Sequence, residues 1–148
     1  MTINTTFTNV DNQKDILLNN LEDSNGKIFE EVMLGEPETD FRGFRFPLAI
    51  HYCKGASYAT KTFNKKNTPE YINSVIGVIV TGDKKSRYKK ITAIVDIIQD
   101  KFQHDNDWIT LNDTVRITEI ESSAITIIPT GNGLASIAVF SLKHHVYK

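Results

Sequence analysis

The strongest periodic signal in the chain lies between residues 86 and 103. Apolar side chains recur there at steps of three and four, at Tyr88, Ile91, Ile94, Val95, Ile98 and Phe102. This spacing places them on one face of an α-helix, while lysines and acids occupy the other face. The pattern predicts a long amphipathic helix whose apolar stripe, headed by Tyr88, covers a sheet.

The segments before this helix have the patterns of β-strands. Residues 72–81 are apolar on both faces, which is typical of a central strand. Residues 46–53 alternate between two faces, and residues 27–34 are rich in side chains that favour strands. The breakers Gly35 and Pro37 end the earliest of these strands.

The beginning of the chain is polar. Residues 1–10 carry few apolar side chains among Thr and Asn, so we expect a flexible arm. Asp11 or Asn12 is predicted to cap a short helix with Ile16, Leu17 and Leu21 on its apolar side, and Gly26 to end it in a left-handed conformation. Residues 11–148 then form a single domain.

The last third of the sequence alternates again. Strand patterns cover 114–121, 124–128 and 134–146, and the glycines within 129–133 suit a hairpin turn. Short links of this kind predict antiparallel pairing in a meander. The fold class we predict is α+β, with a mostly antiparallel sheet packed against one long amphipathic helix (about 86–103) and a short N-terminal helix.

Three polar segments are candidates for contacts with other proteins. Residues 54–72 form a long Lys/Asn/Thr-rich loop, and residues 36–46 interleave phenylalanines with arginines, a mixture enriched in interfaces. The alternative, that the phenylalanines fold back onto the core, stays open. Five lysines and arginines lie within 84–90, at the predicted helix start. The candidate contact residues are Phe41, Arg42, Phe44, Arg45, Lys61, Lys65, Lys66, Lys84, Lys85 and Arg87.

Composition narrows the functional classes. The 148 residues include 17 Lys and Arg against 18 Asp and Glu, so bulk charge favours neither nucleic acid nor a membrane surface. The single cysteine, Cys53, excludes an intramolecular disulfide and any multi-cysteine metal site. No apolar run has membrane-spanning length and the first residues lack the pattern of a leader, so we expect a protein made in the cytoplasm.

Candidate catalytic chemistry is sparse. His51 and Cys53 share a face of one predicted strand, and an enzyme built on them would need an acid such as Glu119 or Glu121 within reach. His144 and His145 are adjacent on a strand and therefore project to opposite faces, which disfavours a shared metal. We predict no catalytic residues, no metal and no cofactor.

The order of elements resembles that of bacteriophage tail-terminator or tail-completion (neck) proteins. The similarity lies in the junction 75–83, the helix 86–103 and the ending 133–142, and the layout matches from Asp11 onward. The resemblance implies a virion protein, assembled in the host cytoplasm, that forms a homohexameric ring on the last ring of the tail tube. Its partners would be other copies, the tail-tube protein and the head–tail connector, with DNA passing through the lumen without specific binding. The lysine-rich loop 54–72 departs from the acidic lumen of that family.

Two other functions remain as alternatives. A small-ligand or regulatory binding domain would use a pocket between the long helix and the sheet, and would be a monomer or dimer. A cysteine-dependent enzyme would require His51, Cys53 and an acid to converge. The ring protein is the leading prediction.

Overall fold

The computed structural model describes residues 5–36, 41, 43–58, 69–104, 115–130 and 133–146. The two helices are α1 (Thr5–Asn19) and α2 (Lys84–His104). The strands are β1 (Glu22–Asp23), β2 (Gly26–Lys27), β3 (Glu31–Leu34), β4 (Leu48–Tyr58), β5 (Pro69–Val80), β6 (Val115–Thr130) and β7 (Gly133–Val146).

Five strands form one sheet in the order β3-β4-β5-β7-β6, and β1 pairs only with β2 in a small hairpin. The β3–β4 pair is parallel and the other three neighbouring pairs are antiparallel. The fold is therefore α+β with a mostly antiparallel sheet, as the sequence predicted. The apolar segment 72–81 lies in β5, the middle strand, which confirms the predicted central strand.

Both faces of the sheet are apolar. One face carries Ile76, Val78 and Phe140, which pack with Ile91 of α2 and Leu18 of α1 in the main core. The other face forms a smaller cluster around the buried side chains of Leu48, Ile50, Phe41, Ile79 and Ala135. Alternate side chains of a strand point to opposite faces, so this two-sided burial explains why residues 75–80 of β5 carry no polar side chain.

The N-terminal helix is longer than predicted. It begins at Thr5, so residues 5–10 of the predicted arm are helical, and residues 1–4 lie outside the described part. The side chain of Val10 is fully buried in the main core. This tertiary burial, which local composition does not show, stabilises the extra turns. The helix ends at Asn19, and Gly26 (φ 107°) instead lies at the start of β2, beyond the turn that follows β1.

The long helix agrees with the prediction in part. Ile91, Ile94, Ile98 and Phe102 are buried along one face. Tyr88 is not: it is 65% exposed, and Arg87 takes the buried position at the start of the stripe. The predicted stripe headed by Tyr88 is therefore wrong in its first turn.

Three loop and strand boundaries also differ. β4 continues to Tyr58 through a register shift between Cys53 and Gly55, and β5 begins at Pro69. Residues 54–58 and 69–72 of the predicted loop 54–72 are therefore in strands, and residues 59–68 lie outside the described part. The predicted meander is a two-stranded hairpin, because β6 runs unbroken through the register shift between Ile120 and Ser122. The predicted strand 27–34 is split between β2 and the short β3.

Candidate functional site

Four large apolar side chains are exposed at one edge of the sheet. They are Tyr88 on α2, Ile125 and Ile127 on β6, and Leu134 on β7, with exposed fractions from 45% to 65%. Ile127 pairs with Ser136 and Ile125 with Ala138, whose side chains lie under the helices, so the four share the helix-covered face. We call these four residues the β6 patch.

The β6 patch lies beside a gap between α2 and the outermost strand. A groove of about 460 Å³ separates the first turn of α2 from β6. Three of the four patch residues line this groove together with three cations and two hydroxyl side chains, namely Lys84, Lys85, Arg87, Tyr88, Ile125, Thr126, Ile127 and Ser136. Clustered exposed apolar side chains with a charged rim are typical of an interaction site.

Three cations at the start of α2 are candidate contact residues, and two of them are accessible. Lys84 and Lys85 are exposed beside the groove. Arg87 is buried, and its guanidinium donates to Ser136 Oγ at 3.3 Å and to the Gly82 carbonyl at 2.9 Å. Arg87 therefore anchors α2 to β7, while Lys84 and Lys85 form the free basic rim.

Strand β6 is also an edge of the sheet. Among the described residues no strand pairs with its outer side, and residues 121–127 are all exposed. An open edge presents backbone donors and acceptors to which another strand can add. The β6 patch therefore lies beside a backbone surface that can pair with a second chain.

The phenylalanines that were predicted to contact another protein pack mostly against the sheet instead. Phe41 is buried on the sheet face opposite the helices, with a left-handed backbone (φ 56°), and its ring meets that of Phe44 edge-on at 6.3 Å. Arg45 remains on the surface, its Nε 3.7 Å from Glu31 Oε1. The phenylalanines thus fold back onto the core, and Arg45 is the accessible member of this group.

The remaining predicted contacts do not form one site. Phe41 packs near Ala135, whereas Arg87 bonds to the adjacent Ser136 on the other face of β7. The phenylalanines near Phe41 and the cations at the start of α2 therefore lie on opposite faces of the sheet, at the same end. Arg42, Lys61, Lys65 and Lys66 lie outside the described residues.

A buried polar cluster that the sequence did not predict lies under α1. Lys14 is fully buried, and its Nζ donates to the Tyr52 carbonyl at 3.3 Å and lies 3.7 Å from Asp11 Oδ1. The Cys53 thiol donates to the same Asp11 oxygen at 3.3 Å. Buried polar groups need such partners, so the cluster fixes α1 against β4.

Both histidines of the helix-covered face have polar partners. His51 Nε2 lies 3.0 Å from Asp15 Oδ1, and since a carboxylate only accepts, this nitrogen carries the proton. The buried His144 contacts Ser74 Oγ at 2.6 Å and Thr118 Oγ1 at 2.9 Å. Its neighbour His145 points to the other face, as predicted, where its ring packs edge-on against a tyrosine.

Burial controls the protonation of this cluster. Burial raises the pKa of the Cys53 thiol from 9.0 to about 12 and lowers the pKa of His144 from 6.5 to about 3. Burial is also the main cause that lowers the pKa values of Lys14 and His51. A protonated, half-buried thiol is a weak nucleophile, so this arrangement is suited to packing α1.

The acids that meet His51 and Cys53 are not those the enzyme alternative required. Glu119 lies on the other face of the sheet, 3.4 Å from His145, and Glu121 is exposed on β6. Asp11 and Asp15 take their place from α1. The sequence signal for this cluster was a lysine among apolar positions of the helix, because the buried positions of α1 are Val10, Lys14, Leu17 and Leu18. The predicted apolar side was shifted, since Ile16 is 44% exposed.

Neither a model of a known protein family nor the sequence of a curated protein matches this chain. Within the described ranges, no group of three or more His, Cys, Asp and Glu side chains is placed to hold a metal ion. No described helix has both the length and the apolarity needed to cross a membrane.

Proposed function

We propose that this chain is a structural virion protein that assembles with copies of itself into a ring at the head-proximal end of a phage tail. The ring ends growth of the tail tube and joins the tail to the head connector, with DNA passing through its lumen. The tail-terminator-like layout, with α2 as the long amphipathic helix behind the sheet, belongs to this proposal. Its partners are other copies, the tail-tube protein and the connector.

The observation that carries the proposal is the β6 patch beside an open strand edge. Burying it would remove Tyr88, Ile125, Ile127 and Leu134 from water. Because each is already about half-buried, each would contribute roughly half of the 1.5–3 kcal/mol of a fully buried large apolar side chain. The exposed Lys84 and Lys85 at its rim add an attraction to acidic surfaces. A surface of this composition suits a protein partner.

Assembly is tested by measuring the mass of the purified protein in solution, and by imaging it with and without tail-tube protein. We expect a closed ring, alone or on the end of the tube, and shorter tubes when the protein is present during tube assembly. A monomer that neither caps tubes nor limits their length would contradict the proposal. Ile125→Lys is the matched variant: it should keep the fold and lose the ring.

The groove supports one alternative function. Its volume of about 460 Å³ lies within the range of small-molecule sites, and it lies between the long helix and the sheet. An apolar ligand with an anionic group would fit isoleucines flanked by Lys84 and Lys85. A monomer whose melting temperature rises with such a ligand, and no longer rises in the Lys84→Ala/Lys85→Ala variant, would favour this function over the ring.

A further inference from the structure

The two edges of the sheet differ in charge. At the β6 edge, Lys84 and Lys85 are exposed next to the apolar patch. At the opposite edge, formed by β3, the exposed acids Glu30 and Glu36 flank the strand. Leu34 of β3 is 56% exposed between them. Next to the apolar patch the β6 edge is basic, while Glu119 and Glu121 are exposed farther along β6, and the β3 edge is mainly acidic.

The β3 edge also has its own cations, and they do not cancel its acidity. Arg45 lies 3.7 Å from Glu31 and so is already engaged. Lys27 is exposed on β2, in the small hairpin that also carries the exposed pair Glu22 and Asp23. The acidic character of this edge is complementary to the basic rim of the β6 patch.

We propose that the β3 edge of one copy docks on the β6 edge of the next, so that neighbouring subunits join their sheets. This inference rests on the proposed function, because it specifies which surfaces of neighbouring subunits touch in the proposed ring. Because the two edges are different surfaces, the contact is head-to-tail and closes into a ring when the rotation between copies permits. A closed ring leaves neither edge open to uncontrolled pairing.

The strand directions and faces agree with such a junction. β3, β4 and β7 run one way and β6 runs the other, so copies related by rotation about an axis along the strands bring β6 and β3 together antiparallel. Leu34 pairs with His51 in the register, which places it on the helix-covered face. In a continuous sheet Leu34 would therefore share a face with Ile125 and Ile127 of the neighbouring copy. The register of the sheet places Leu34 level with Ser123, and Val32 level with Ile125.

Cysteine cross-linking tests the contact in the full-length chain with Cys53→Ser. The Leu34→Cys/Ser123→Cys and Val32→Cys/Ile125→Cys variants should form disulfide-linked ladders under oxidation, because opposed strand positions lie within disulfide reach. Each single variant, and Leu34→Cys paired with the exposed α2 position Gln99→Cys, should give no ladder. Circular dichroism of the reduced proteins checks that each variant is folded.

Charge reversal provides the second test. Lys84→Glu/Lys85→Glu should raise the self-association Kd by about tenfold or more, and adding Glu30→Lys/Glu36→Lys should restore most of that loss. Oligomers that give no ladder with either pair and no rescue by the reversed acids would overturn this interface while leaving the ring function standing. A chain that never self-associates, even on tail tubes, would overturn both.

Discussion

Lys14 lies fully buried between α1 and β4, where Asp11 and the Tyr52 carbonyl are its partners. A buried ammonium is costly without partners, and removing it leaves those partners unsatisfied. The same face holds His51 and Cys53. At the scale of single residues, docking of α1 therefore depends on polar contacts as much as on apolar area.

The first prediction concerns the pH dependence of stability. The pKa of His144 is lowered from 6.5 to about 3, so between these values the unfolded chain binds a proton that the folded chain does not. Stability should then fall as the pH drops below about 6.5, by at most about 1.4 kcal/mol per pH unit from this residue. The pKa of His51 is also lowered, so this residue adds to the loss of stability at acidic pH. Urea unfolding at pH 7 and pH 5 measures the effect.

His144→Gln should reduce this dependence on pH, because the side chain that must stay neutral is gone. The matched control is His145→Gln, one residue away and only half-buried on the other face. We expect the control to keep the pH dependence of the parent protein. Equal pH dependence in the parent and both variants would show that His144 is protonated as readily in the folded chain as in the unfolded one.

Cys53 gives the second prediction. With its pKa near 12, the thiolate fraction at pH 8 is small, so alkylation by iodoacetamide should be about a hundredfold slower than for a free cysteine, or slower still. The urea-unfolded protein serves as the control and should react at the ordinary rate. Fast labelling of the folded chain would instead support the cysteine-dependent enzyme.

At the scale of elements, α2 begins with an N-terminal cap. Asp83 Oδ1 accepts a hydrogen bond from the Ser86 backbone N–H at 2.9 Å. Asp83→Ala should lower the free energy of unfolding by about 1 kcal/mol, because it removes this cap from a helix start crowded with lysines. Asp96→Ala, an exposed position within the same helix, is the control and should change stability by less than half as much. Thermal unfolding measures both.

Element boundaries were predicted best where a pattern is local. The core of α2 and residues 72–80 of β5 follow from periodicity that a few turns or residues suffice to show, whereas the first residues of β5 were predicted as loop. The start of α1 could not be predicted this way, because its first turns are held by Val10 packing into the main core. Burial of Arg87 in place of Tyr88 likewise depends on the distant Ser136.

At the scale of the whole molecule, near-zero net charge hides two charged edges. Self-association through them should weaken with salt, since the Debye length falls from about 10 Å at 0.1 M to about 3 Å at 1 M. We expect the association Kd to rise across this range, measured by sedimentation. In the Lys84→Glu/Lys85→Glu variant, the association Kd should change less with salt concentration than in the parent protein. Association that strengthens with salt in the parent would mean that apolar burial alone drives it.

The sequence by itself determined the α+β class, the central strand and the long helix, because these depend on the spacing of apolar residues along a short stretch of chain. The sequence also indicated which lysines and arginines could contact a partner, but it did not show which of these side chains are accessible. Tertiary structure decided that β7 lies between β5 and β6, that Lys14 and His144 are buried, and that β6 and β3 form the edges. Strand order and the burial of a polar side chain depend on partners far away in the chain, which local periodicity does not encode.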